Sequence, residues 1–287
     1  MADELFQPII GCLGFPVAGA ATQFVLQQVM KRAELDWHVM TAEVVPEELA
    51  AAIAGTRALR FSGLELLPPF AMAALPLFPE ASARARQSGT VEVARRTSQG
   101  WEADDLRIDV LNRMINERLE KSRGILLCLG EASESWATLS LDACHPVSWR
   151  WMSATDPFPE LLDPTVAMDG PRDGEPLGEE EETAEVASQD PKAAEAIAPL
   201  IVLVAGQLPE PAWSLLADAL ESQTGIVILT EDPGGSRWRQ QLSRTSLQWI
   251  DATEYAAWML QAKYRYWTGR EEPLSWFRDA LDEFLAF

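Results

Sequence analysis

Short apolar runs separated by stretches of helical periodicity recur along the chain, and this alternation predicts its elements in order. Pro8 to Leu13 reads as a strand, with a turn at Gly14-Phe15-Pro16, and Ala20 to Glu34 reads as a helix. Trp37 to Val44 predicts a second strand, Pro46 to Gly55 a helix entered through Pro-Glu-Glu, and Leu59 to Leu67 a third strand, completing a βαβαβ unit. Phe70 to Phe78 predicts a helix, Thr90 to Arg95 and Gly100 to Asp105 a hairpin across Thr97-Ser98-Gln99, and Ile108 to Lys121 a closing helix. A second alternation starts at Gly124. Ile125 to Leu129, Val147 to Trp151, Leu200 to Val204 and Ile226 to Leu229 predict strands, and Pro211 to Glu221 predicts a helix before the last of them. Tyr255 to Trp267 and Leu274 to Phe287 predict two terminal helices with buried aromatic residues and exposed acids.

Repeated βα units favour two open α/β domains with mainly parallel sheets, and the cleft between such domains is the default ligand site. The expected division is 1–121, 122–250 and a C-terminal helical segment, 251–287, that returns to the first domain. Between Asp156 and Glu195 the composition shifts to Pro, Gly, Asp and Glu, with four successive glutamates at Glu179 to Glu182. That stretch is expected to be a loosely held acidic insertion, either a solvated linker or a docking segment for a basic partner.

Length and charge narrow the field. The 287 residues suit two domains, each large enough for a core. Forty-four carboxylates face 23 Lys and Arg, a formal charge of −21, which disfavours nucleic acid as a partner because phosphate binding needs a basic footprint. The apolar runs are far shorter than the roughly 20 residues that span a bilayer, and the acidic start lacks the basic region of a secretory signal, so a cytoplasmic location without a membrane partner is expected. Cys12, Cys128 and Cys144 form no CxxC pair and read as reduced structural thiols. His38 and His145 are isolated, and no metal site is expected. Trp258 and Trp267 read as packing residues.

Several segments resemble the shikimate dehydrogenase family. Gly11-Cys-Leu-Gly14-Phe-Pro16-Val17 is similar to the family's opening Gly-x-Pro-Ile, after which the two serines that hold the shikimate carboxylate fall on Ala20 and Thr22. Gly63-Leu64-Glu65-Leu66-Leu67-Pro68-Pro69-Phe70-Ala71 resembles Gly-x-Asn-Val-Thr-x-Pro-His-Lys without a gap and puts Ala71 at the catalytic lysine. Gly89-Thr90-Val91-Glu92-Val93 places Glu92 at an asparagine that contacts substrate hydroxyls, and Ala103-Asp104-Asp105-Leu106-Arg107 places Arg107 at the catalytic aspartate. Asp251 to Trp267 and the following Thr268-Gly269-Arg270 resemble the family's closing helices, with Met259 where the family has a glutamine. Gln261 lies about 200° round the helix from that position. Leu127-Cys128-Leu129-Gly130-Glu131-Ala132-Ser133 stands at the Gly-x-Gly-Gly cofactor loop and keeps only Gly130, while Glu131 adds a charge that disfavours a pyrophosphate.

The resemblance implies a shikimate-dehydrogenase-like substrate domain followed by a degenerate Rossmann-like domain, in a monomer or homodimer. In the family a lysine and an aspartate flank the hydroxyl that loses its proton as hydride moves to the nicotinamide. Ala71 does not titrate, and Arg107 stays protonated. Thr22, Glu65, Glu92, Asp105, Arg107 and Met259 remain as cleft candidates, and the added carboxylates repel a sugar-acid anion. Thr22 reads as a helix cap, and Glu65, Glu92 and Arg107 as an inter-strand ion pair filling a disused cleft, with a new ligand site as the alternative. The expected function is a binding, regulatory or structural protein without a bound cofactor. The alternative that the resemblance implies is an active NADP- or NAD-dependent oxidoreductase of the shikimate dehydrogenase type, in aromatic amino acid biosynthesis, with the family's substrate or an altered one, and in the latter case using Glu92 or Asp105 as base and Arg107 as anion clamp.

Overall fold

The computed structural model describes residues 7–118, 125–130, 149–152, 200–205 and, apart from short gaps, 213–286. The acidic insertion expected at 156–195 and the loop after Gly130 lie outside the described residues.

Two five-stranded sheets organise these residues. The first comprises β1 (Ile9–Gly14), β2 (His38–Glu43), β3 (Gly63–Leu66), β4 (Val93–Thr97) and β5 (Gly100–Asp104) in the order β2-β1-β3-β4-β5. β1, β2 and β3 are parallel, and only β4 runs against its neighbours. The second sheet comprises β6 (Ile125–Gly130), β7 (Trp149–Met152), β8 (Leu200–Ala205), β9 (Gly225–Leu229) and β10 (Gln248–Ile250) in the order β10-β9-β8-β6-β7, all parallel. β6 ends at Gly130, beside the point where the strand order reverses, which is where open parallel sheets bind ligands.

The α-helices with fully described bounds are α1 (Thr22–Arg32), α2 (Leu49–Ala58), α3 (Phe70–Ala74), α4 (Ala83–Ser88), α5 (Arg107–Arg118), α6 (Arg237–Leu242), α7 (Ala252–Thr268) and α8 (Leu274–Leu285). The predicted third strand is corrected at its start: residues 59–62 form the turn that closes α2, with Arg60 left-handed and Phe61 N donating to Thr56 O. The helix expected over Phe70 to Phe78 passes into a 3-10 turn at Leu75–Leu77, where Pro76 has no N–H to continue it. The short α4, α6 and β10 escape the sequence reading because each has only three to six residues, too few to establish a period.

β2 is an edge strand, and two of its outward backbone groups are already bonded. His38 N donates to Pro8 O, towards β1, so the alternate residues Val39 and Thr41 face away from the sheet. Two α1 glutamines meet them: Gln27 Nε2 donates to Val39 O at 2.9 Å, and Thr41 N donates to Gln23 Oε1 at 2.8 Å.

α7 ties the molecule together. Asp251 caps its first turn by accepting from Glu254 N, and Gly269, at φ 69°, ends it. One buried cluster runs from Ile10, Cys12 and Val93 of the first sheet, through α1 and α5, to Trp258, Leu260 and Tyr264 of α7 and on to Ile201, Leu203, Ile226 and Ile228 of the second sheet. Trp258 and Trp267 are both buried in it, as packing residues. Phe277 and Leu281 of α8 join the same cluster, and the Phe277 ring meets Tyr264 edge-on at 5.6 Å.

Gly63 is the closest backbone approach in this packing. A Cβ there would lie 2.5 Å from Trp267 Cδ1, and the indole Nε1 donates to Ala94 O at 3.0 Å, so the ring has no room to retreat without losing its bond. Gly63→Ala is expected to destabilise the protein by about 1–3 kcal/mol, read as a lowered denaturation midpoint in chemical unfolding.

Candidate functional site

β1, β3 and β4 bring alternating side chains to the sheet face that α1, α5 and α7 cover, and a buried cluster of charges interrupts the apolar packing there. Register pairs Cys12 with Glu65, and Glu65 with Val93, so the Glu65 carboxylate emerges beside the Cys12 thiol on that face. Its partner comes from α7. Lys263 Nζ donates to Glu65 Oε1 at 2.6 Å, with side-chain exposures of 14% and 1%. Thr22 Oγ1 donates to the same oxygen at 3.2 Å. The expectation that Thr22 caps its helix is therefore corrected: Ala21 holds the cap position, and the Thr22 hydroxyl turns inward to a buried carboxylate that needs donors.

A second group forms where β5 passes into α5. Asp105 Oδ1 accepts from Arg107 N and Arg107 Nε, each at 3.0 Å, in an Asx turn that opens the helix. The Arg107 guanidinium also donates to Thr90 Oγ1 at 2.6 Å, and Thr90 in turn donates to Asp105 Oδ2 at 2.7 Å. Glu92 Oε1 lies 3.4 Å from Arg107 Nε. The expected ion pair of Glu65, Glu92 and Arg107 is thus corrected in its pairing, because Arg107 serves Asp105 and Glu92 while Glu65 is served by Lys263. Asp104 stands apart, bound to Arg84 at 2.7 Å.

The electrostatics differ from group to group. Burial alone would lower the Lys263 pKa, but the Glu65 and Glu92 charges raise it, so the ammonium persists. Burial alone would raise the Asp105 pKa, but hydrogen bonds and charge from Arg107, with Ser88 and Thr90, hold it below the usual carboxylate range. Arg107 is likewise held charged by Asp105 and Glu92 against the effect of burial. Glu92 is the exception: burial, and then the Asp105 charge, push its carboxyl up to about 7 against the opposing pull of Lys263 and Arg107. Burial and Glu65 push the Cys12 thiol up, and burial with Glu92 does the same to the Tyr255 hydroxyl. Glu65 Oε2, Glu92 Oε2 and Tyr255 OH are buried without a hydrogen-bond partner among the described residues.

Of the candidates read from the sequence, Thr22, Glu65, Glu92, Asp105 and Arg107 meet in this cluster. Met259 is buried on α7, one helical turn from Tyr255 and one from Lys263. Gln261 points elsewhere, donating to Glu272 O. Ala71 contributes only a backbone carbonyl, which accepts from Val91 N at 2.8 Å. Gly130 ends β6 in the second sheet. Lys263 and Tyr255 escape the sequence reading, although their spacing of four on either side of Met259 marks one helix face. Among the described residues no group of three His, Cys, Asp or Glu is arranged to hold a metal, and no helix is long and apolar enough to cross a membrane.

An α/β chain with two open sheets, and a polar cluster on the first of them facing a returning C-terminal helix, defines the class. Residues 12–93 match the shikimate dehydrogenase substrate binding domain family. A shikimate dehydrogenase (NADP(+)) of Geobacter metallireducens is 34% identical over 98 residues, which cover 34% of this chain and 32% of that protein, so the aligned segment spans about a third of that relative. The structure of a Thermus thermophilus shikimate 5-dehydrogenase in complex with shikimate superposes with a TM-score of 0.69 at 16% identity, covering 98% of this chain and 100% of that one. A 5-ketofructose reductase of a Gluconobacter strain superposes equally well, with a TM-score of 0.69 at 12% identity over 97% and 99% of the two chains. Residues 12–93 thus resemble the shikimate dehydrogenase substrate binding domain, and the chain as a whole has the fold seen in shikimate dehydrogenases.

The buried charges set two expected outcomes. Lys263→Met leaves the Glu65 carboxylate buried and unpaired, so a loss of about 3–5 kcal/mol in chemical denaturation is expected, most of it recovered when Glu65→Leu is added. Glu92 has its pKa raised on folding, so its contribution is present below the ordinary value of 4.5 and lost as pH rises through about 7. Glu92→Gln is therefore expected to leave stability nearly unchanged in acid and to raise it by up to about 3 kcal/mol above neutrality, measured as melting temperature against pH.

Proposed function

We propose that this protein is a shikimate-dehydrogenase-like binding protein without shikimate dehydrogenase activity. The observation that carries the reading is the pairing of both cations of the site with carboxylates of the chain itself: Lys263 with Glu65, and Arg107 with Asp105. An acid-base step on a substrate hydroxyl needs a group that gives or takes a proton near neutrality. Lys263 and Arg107 are both held protonated, and Asp105 is held ionised by its bonds. A substrate carboxylate also lacks its anchor, since Ala20 offers no hydroxyl and the Thr22 hydroxyl is donated to Glu65. The sequence after β6 supports the same reading, because Ala132 and Ser133 stand where the resemblance places flexible glycines that let a backbone approach a pyrophosphate, and Glu131 adds a negative charge.

A second reading rests on Glu92. Its carboxyl sits at about 7 and exchanges a proton at physiological pH, as a general base must. With NADP or NAD bound to the second domain, it would make the chain an oxidoreductase acting on a substrate other than shikimate.

Shikimate oxidation measured by nicotinamide absorbance, with NADP and then NAD, separates the two. No turnover above the protein-free rate, and no calorimetric heat with either dinucleotide, is the expected result. Enzyme-dependent oxidation of shikimate would overturn the proposal, and micromolar dinucleotide binding without it would put the second reading first.

A further inference from the structure

The cluster between the first sheet and α7 contains more negative groups than positive ones. Glu65, Glu92 and Asp105 supply three carboxyls, and Lys263 and Arg107 supply two cations. Asp105 is fully engaged by Arg107, Thr90 and the α5 backbone. Glu65 accepts from Lys263 and Thr22 through Oε1 and lies against the Cys12 thiol, Glu92 meets Arg107 through Oε1, and each keeps a buried Oε2 without a hydrogen-bond partner among the described residues. The Glu65 side chain is 1% exposed, and buried acceptors of this kind are ordinarily bonded. Tyr255 OH, close enough to Glu92 for its charge to be felt, also has no hydrogen-bond partner among the described residues.

We infer that this site takes a small cationic ligand, a protonated amine bearing hydroxyl groups, seated against the unpartnered oxygens of Glu65 and Glu92. The inference rests on the reading of the chain as a binding protein that no longer handles shikimate. An ammonium supplies the missing charge and several N–H donors at once, whereas a neutral polyol supplies donors and leaves the excess charge uncompensated. An anion meets a net negative cluster whose cations, and the Thr22 and Thr90 hydroxyls, are already committed. A metal ion finds no group of three ligands among the described residues.

The charged and titratable groups that face Glu92 are Asp105 and Arg107 from the start of α5, Lys263 and Tyr255 from α7, and Glu65 from β3. With its carboxyl at about 7, Glu92 carries a proton part of the time in the empty site and gives it up when a cation arrives. Binding of an amine is therefore coupled to proton release near neutrality and strengthens as pH rises.

The test uses two matched sets of probes on the full chain: ethanolamine, ethylene glycol and glycolate, then 1-amino-1-deoxyglucitol, glucitol and gluconate. Binding is read by calorimetry in two buffers of different ionisation enthalpy, and by shift in melting temperature. One or both amines are expected to bind at least about tenfold more tightly than the neutral and anionic analogues, with proton release near neutrality. Glu92→Gln, which stays folded on the argument above, is expected to weaken the amine about tenfold above neutrality and to abolish the proton release. Equal binding across a set, preference for the acid, no binding by either amine, or an unchanged amine affinity in Glu92→Gln would each overturn the inference. Those outcomes leave the proposed lack of shikimate oxidation standing, whereas shikimate turnover by the same preparation refutes that reading directly.

Discussion

Much of the structure depends on α7 being buried along most of its length. Ala257, Trp258, Met259, Leu260, Ala262, Tyr264 and Trp267 are all below a tenth exposed. A helix enclosed to that degree must answer the polar groups it carries, and three of its inward polar residues have fixed partners, Lys263 on Glu65, Gln261 on Glu272 O and Trp267 on Ala94 O. Because the apolar cluster around α7 reaches both sheets, the position of Lys263 is set by packing on two fronts. That rigidity lets a single lysine hold a carboxylate that would otherwise be costly to bury.

The same enclosure separates the residues that hold the fold from those that line the site. Backbone packing depends on residues such as Gly63 and Trp267, whereas the side chains around Glu65 and Glu92 are constrained chiefly by the need to keep charge nearly balanced. A site whose charges are paired within the chain is preorganised before any ligand arrives, and the carboxyl of Glu92 is the exception.

The sequence shows the fold more fully than it shows the site. Long periodic segments such as Thr22–Arg32 and Ala252–Thr268 are legible because burial imposes a repeat over several turns, and the Asp251 to Glu254 spacing even marks where the second begins. Lys263 is less legible, because a lysine on a terminal helix reads as a solvent-facing residue until its partner is known. That partner, Glu65, is 198 residues away along the chain. The hydroxyl of Thr22 shows the same limit: its place before an apolar run suggests a cap, and only the fold reveals the carboxylate that competes for it. Pairings between distant segments are settled by geometry, which local pattern does not encode.

The glutamines laid along β2 have an effect beyond their own bonds. An open sheet edge is an invitation to another chain, and here Gln23 and Gln27 answer the backbone from within the same molecule. A formal charge of −21 keeps copies apart at a distance, where salt can screen it, whereas the glutamines act at contact, where salt has little influence. The protein thus carries two brakes on strand-to-strand aggregation with different ranges, and the shorter one still operates when ionic strength releases the longer.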